Sequence, residues 1–234
     1  MNKILIQNNH FTRPLKRFIT FIATVCLLTC SLLFSACKRE TDYFSYVSEL
    51  RSNILLAQTE HYSVRVYAVE REQPYSADGV PRETAARTEV YLVAPSGDKE
   101  CNLRFMVGET ESQGEMSFDN VKTEYYYYCP LDVSTLSELV LHIEYGEETL
   151  EITAKSVKTQ NTLSPQAALQ ALQNAEPTLF EQMTDKYGFT GEIRLRLLFE
   201  EHPYYYIGVI DRNGNSTAFL LNAETGKILA KRQS

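Results

Sequence analysis

Three kinds of residue in this 234-residue chain could do chemistry, and their spacing decides how far each can be taken. His61, His142 and His202 lie far apart, in no HExxH and in no His/Cys cluster, so the spacing gives zinc no support. Asp211-x-Asn213-x-Asn215 opens like a calcium-binding loop. The loop then needs Gly where Ser216 stands and a bidentate Glu where Asn222 stands, so a hairpin turn is the expected use. Glu147 with Glu148, and Glu200 with Glu201, could serve as acid and base only if their carboxyls faced each other. Neighbours on a strand point to opposite faces, which makes them solvated turn charges. Neither a GxSxG elbow nor a glycine-rich phosphate loop occurs. We therefore expect no catalytic residue, no metal and no cofactor. A cell-wall or peptide hydrolase whose site assembles only in the fold stays open as an alternative.

Tyrosine is the compositional excess, 15 in all, with runs at Tyr125–Tyr128 and Tyr204–Tyr206. On a strand Tyr125 and Tyr127 share one face, and Tyr126 and Tyr128 the other, so at least two rings should reach solvent. Exposed tyrosines supply rigid amphipathic contact area for a partner, and Tyr125, Tyr127, Tyr204 and Tyr206 are the candidate binding surface. Cross-strand packing is the competing use for any one ring.

Several elements must position these residues. Tyr43, Val47, Leu50 and Ile54, at spacings of four, three and four, predict a short helix after a cap at Thr41 or Asp42. A strand beginning at Ile54 competes with it. From His61 to Lys158 the pattern becomes short β runs: 61–71, 88–94, 101–107, 115–119, 123–129, 138–145 and 149–157. Seven strands at this spacing predict an immunoglobulin-like sandwich. The 70–87 stretch, with two prolines and no sustained apolar pattern, reads as a long loop. Beyond a polar joint, Ser164 and Pro165 open a helix with Ala168, Leu169 and Leu172 on one face. A second helical segment follows Pro177, over 178–187. Strands are then expected at 192–200, 204–211, 216–222 and 227–231, joined by tight turns at Gly214 and Gly226. The expected fold class is mainly β with an α+β C-terminal part.

The N-terminus carries an address. Lys3, Arg13, Lys16 and Arg17, with no acidic residue, precede an uncharged run from Phe18 to Ala36. That is an export signal. It ends in Phe34-Ser35-Ala36-Cys37, which resembles the bacterial lipobox. The resemblance implies cleavage before Cys37, two acyl chains on its thiol, and a lipid-anchored chain on the extracytoplasmic face of a cell membrane. An uncleaved signal anchor is the alternative. Without residues 1–36, which hold four basic and no acidic residues, 19 Lys plus Arg face 30 Asp plus Glu, a net charge of −11. Such a surface repels phosphate backbones, so nucleic acid is excluded as a partner. With Cys37 acylated, Cys101 and Cys129 remain as a candidate disulfide pair, with two packed free thiols as the equal alternative.

Near the C-terminus LSPQAALQAL and YYYIGVIDRNGNSTAFLLNAETGKILAKR resemble a PepSY-type domain, through Ser164, Ala167, Ala168, Gly214, Asn222, Ala223, Thr225, Gly226 and Ile228. The resemblance implies a small helix-plus-antiparallel-sheet unit that binds or regulates an envelope protein or peptidase without catalysis. The expected organisation is a signal over 1–36, a tether and short helix over 37–60, the sandwich over 61–158 and the PepSY-like part over 162–232. A structural spacer with no specific ligand is a further alternative.

Overall fold

The computed structural model describes residues 41–74, 80 and 82–233. The export signal, Cys37 and the middle of the 70–87 loop lie outside the described residues. Asp42 Oδ1 accepts from the Phe44 N–H and caps a 3-10 turn at Tyr43–Tyr46, which leads straight into β1 (Val47–Gln58). The helix expected here is therefore a strand, and its pairing explains the misreading. Against its neighbours β1 gains an extra residue between Val47 and Glu49 and another between Arg51 and Asn53. Each bulge flips the alternation, so apolar residues recur three or four apart, as on a helix. Cover on both faces adds to this, since most of β1 is buried.

The chain continues through β2 (Ser63–Glu72), β3 (Thr84–Val93), β4 (Cys101–Val107), β5 (Thr110–Glu115), β6 (Ser117–Asp119), β7 (Glu124–Cys129), β8 (Glu138–Tyr145) and β9 (Glu148–Ser156). Two helices follow, α1 (Pro165–Ala175) and α2 (Pro177–Gln182). A small hairpin, β10 (Thr184–Asp185) with β11 (Gly188–Phe189), shortens the second helical segment relative to expectation. The chain ends in β12 (Gly191–Phe199), β13 (Pro203–Asp211), β14 (Ser216–Asn222) and β15 (Ile228–Gln233). The molecule is mainly β: thirteen of these strands join in one sheet, antiparallel except where β1 meets β12.

β1 is the fork of that sheet. One edge carries β2 along its length, then β3, β7 and β6. The other edge carries β12 beside Val47–Arg51 and β9 beside Leu55 and Leu56. Val66, Leu92 and Tyr125 on the β2–β3–β7 limb close over Leu103, Phe105, Leu141 and Ile143 on the β4–β8 limb. A second core lies under α1, where Ala168, Leu169 and Leu172 meet Ile193, Leu195, Ile207 and Phe219. Leu55 belongs to the first core, and Val47, Leu50 and Ile54 to the second.

At the fork sits Asn53, fully buried. Its Nδ2 donates to the carbonyls of Val133 (3.1 Å) and Leu136 (2.9 Å), and its Oδ1 accepts from Ser156 Oγ (2.7 Å) and from the Ile54 N–H (3.0 Å). A buried amide so fully satisfied fixes one register rather than costing stability. Leu55→Ala should cost about 3 kcal/mol through the cavity it leaves. Asn53→Ala should cost roughly as much through orphaned carbonyls. Both variants should unfold in a single denaturant transition, because β1 feeds both cores; two resolved transitions would show that the cores unfold apart.

Candidate functional site

The strand registers place one set of side chains on the sheet face away from α1. Arg196 stands opposite Tyr206, and Leu198 opposite Tyr204. Arg51 stands opposite Arg196 on one side and Val69 on the other. Tyr67 faces Glu89, which in turn faces Tyr128. The face thus runs unbroken from β13 across β12, β1, β2 and β3 to β7, and it passes over both cores.

Its charges are paired with economy. Glu49, only 7% exposed, takes a bidentate bond from Arg196 (2.9 and 2.6 Å) and a third bond from Arg71 (3.2 Å). Burial pulls the Glu49 carboxyl upward, but the hydrogen bonds and charges of Arg196 and Arg71 outweigh it and hold the pKa below the ordinary glutamate value. Arg65 holds the buried Glu124, Arg194 holds Glu192 at 3.1 Å, and Arg87 lies 3.7 Å from Glu89. Tyr91 donates to Glu89 (3.0 Å), and burial with that carboxylate pushes its pKa up to about 12, so it stays a neutral donor.

Arg51 is different. Its guanidinium lies 4.1 Å over the Tyr67 ring, and among the described residues no carboxylate lies within ion-pair distance of it. Its Nε is shielded from solvent with no acceptor among them. Arg51 and Tyr67 border a groove of about 680 Å³, whose other walls include Ile54, Leu56, Leu198, Tyr204, Leu220 and the exposed Phe199 and Leu229. Arg65 and Glu200 complete the rim. Volume and apolar lining match a small-molecule site.

Of the residues expected to bind, the structure brings Tyr204 and Tyr206 to this face, both half-buried, with Tyr205 turned into the second core. The Tyr206 ring stacks against Gly208, where a β-carbon would come within 3.0 Å of the hydroxyl. Tyr125 does not serve as a surface. It is 2% exposed, packs on Phe118 and Tyr145, and donates to the Lys99 carbonyl (2.7 Å). Tyr127 leans the same way, half-buried against Phe105, with its hydroxyl bonded to Gln113 O (3.2 Å) and Ser112 Oγ (2.9 Å). The alternation is as expected, with the faces exchanged: Tyr126 and Tyr128 are the rings in solvent.

Cys101 and Cys129 are free, buried thiols. Cys101 packs 3.7 Å from Met116 Sδ, and burial pushes its pKa up to about 12. It lies beside Lys99, whose carbonyl Tyr125 reaches. Cys129 closes β7 opposite Thr88 of β3, while Cys101 opens β4 on the other limb of the first core, and the two thiols are not bonded.

Among the described residues no three His, Cys, Asp or Glu gather as a metal site. His61 and His202 are exposed, and His142 Nδ1 lies 3.5 Å from Glu151 across β8 and β9. Glu148 binds Tyr62 (2.8 Å) and Lys99 (3.3 Å) at the β8–β9 turn. Asp211 accepts from the N–H groups of Asn213 (2.8 Å) and Asn215 (2.9 Å), which builds the expected hairpin. Glu49 and Arg51 lie on β1, whose helix-like spacing hides which face they share, whereas Tyr67 falls on an expected strand and only its neighbours across β1 mark it as part of a site. The Arg194 and Arg196 alternation in β12 was the visible signal. Comparison of the chain with family models, curated proteins and solved structures finds no match.

Two measurements follow from this geometry. Thiol titration of residues 38–234 in guanidinium, without reductant, should find both cysteines free, and folded protein should react slowly because both are buried. For Glu49, the folded pKa is depressed, so its stabilisation is present above about pH 4.3 and is lost as pH falls through the folded value. Glu49→Gln should lose about 2 kcal/mol at neutral pH, since the arginine heads still reach water. The variant should then show a shallower fall in stability than wild type between roughly pH 6 and pH 3; parallel curves would contradict the assignment.

Proposed function

We propose that this chain is a lipid-anchored extracytoplasmic binding module, without catalysis, that engages an envelope protein or a peptidase through the tyrosine and arginine face. The observation that carries the reading is that face itself. Exposed Tyr126 and Tyr128, half-buried Tyr204 and Tyr206, and arginines stacked on Tyr67 and Tyr128 at 4.1 and 4.5 Å lie on one continuous sheet surface. Tyrosine and arginine are the side chains that carry most binding energy at protein surfaces.

The architecture supports the finer reading. Two sheet limbs over a common core, assembled from short antiparallel strands, support an immunoglobulin-like sandwich. The C-terminal part supports a PepSY-like unit. Ser164 Oγ accepts from the Ala167 N–H (3.1 Å) to cap α1, and Asn222 Oδ1 accepts from the N–H groups of Glu224 (3.0 Å) and Thr225 (2.9 Å). Gly226 takes φ +69°, and a β-carbon there would sit 2.7 Å from that of Ala171. The resembling residues therefore meet as helix cap and turn. No helix among the described residues is long and apolar enough to cross a membrane. Anchoring through acyl chains on Cys37 would supply about 0.8 kcal/mol per buried CH₂.

Capture from envelope extract with residues 38–234 should yield a partner that a Tyr204→Ala, Tyr206→Ala double variant loses. Identical sets would overturn the binding surface. Cys37→Ser should release the full chain from the membrane fraction or leave it at precursor mass; an unchanged mass and fraction would refute lipidation.

A further inference from the structure

We propose that the groove beside Arg51 binds a small apolar monocarboxylate, with the carboxylate on the Arg51 guanidinium and the body along Leu56, Leu198, Tyr204 and Leu220. The inference rests on the binding face proposed above and gives it a ligand. It begins from a charge that the chain leaves unanswered. Each glutamate set on this face already has its arginine: Glu49 with Arg196 and Arg71, Glu124 with Arg65, Glu192 with Arg194. Arg51, by contrast, has only the Tyr67 ring, and its Nε is buried without an acceptor among the described residues. An unsatisfied buried donor costs about 1–3 kcal/mol, and more when it is charged. In a chain with 30 acidic residues, none of the described ones is spent here. A planar guanidinium held by stacking is the donor fork that fits a carboxylate.

The rest of the groove narrows the class. Its walls are mainly apolar and its volume of about 680 Å³ suits a small molecule. With one free arginine and Glu200 on the rim, the site favours a single negative charge over a phosphate dianion, and Arg51 with Arg65 disfavours a cation. A peptide is a poorer occupant: β1 is laddered to β2, β12 to β13 and β13 to β14, and the β12 edge left beyond Arg196 on the β1 side is Leu197 to Phe199, too short to pair an added strand.

Isothermal titration of residues 38–234 with dodecanoate below its micellar concentration tests this, with 1-dodecanol and dodecyltrimethylammonium as neutral and cationic probes of equal length. Dodecanoate should bind one to one, about tenfold or more tighter than either control. Arg51→Met should bring dodecanoate down to the level of the alcohol, with its melting transition still cooperative. Leu229→Ala, at an exposed rim position that cannot unfold a core, should weaken acid and alcohol alike. Absence of dodecanoate binding, equal binding of the alcohol, or an undiminished Arg51→Met would each overturn the proposal. If dodecanoate fails while capture that depends on Tyr204 and Tyr206 persists, the ligand is wrong and the binding face stands; loss of both removes the face as well.

Discussion

The structure depends on one strand having to satisfy two cores at once. β1 is paired on both edges and covered on both faces, so every backbone group and side chain along it needs a partner. Asn53 and Glu49 meet that demand at its most polar points. Asn53 ties β1 to the segment before β8 and to the end of β9 through bonds that a hydrophobic residue could not make. Glu49 ties it to Arg196 of β12 and Arg71 of β2, so one buried carboxylate clamps the parallel and the antiparallel neighbour together. Breaking the Asn53 contacts leaves carbonyls where water does not reach, and breaking the Glu49 contacts leaves the buried carboxylate without its arginines, and that is why the two halves of the sheet are joined rather than merely adjacent.

This pairing also explains how a chain of net charge −7, and more acidic beyond its N-terminal 36 residues, can carry a face studded with arginine. Acids scattered on turns, such as Glu147, Glu200 and Glu201, remain solvated and contribute little, while Glu148 is held by Tyr62 and Lys99. The glutamates on the strands of this face are instead consumed by arginines within hydrogen-bond reach. The aromatic rings that separate them, Tyr67, Tyr91 and Tyr128, lower local polarity and give guanidinium groups flat surfaces to lie on. On the strands of this face the named arginines outnumber the glutamates they hold, despite the acidic charge of the whole.

Much of the fold was legible where one rule acted alone. β4, β8 and β14 fall at the expected bounds, because each alternates cleanly and ends at a turn. α1 begins at Ser164 and Pro165 as the cap chemistry requires. β1 was not legible, because two bulges and cover on both faces erase the period of two that identifies a strand. β5 was missed for the opposite reason: Thr110–Glu115 has almost no apolar side chain and is held by its ladder to β4. In the tyrosine runs alternation was certain but phase was not. Nothing within Tyr125–Tyr128 says which parity is buried, since all four rings are alike; the partner Leu92, which lies in the core, sets Tyr125 inward.

The same fork that hid β1 creates the groove. Where β1 leaves β12 and turns toward β9, the sheet surface on the far side from α1 cannot stay flat. Leu198 and Tyr204 of the C-terminal strands, and Leu56 and Arg65 from the other limb, become walls of one depression. Neither half of the chain could form it alone, because each contributes only one side. Ligand sites gather at such junctions, where two packed units leave a concavity that neither core fills. Arg51 stands at this junction because it follows Leu50 and precedes the bulge at Ser52, so its direction is fixed by the departure from regular pairing that lets β1 serve two cores.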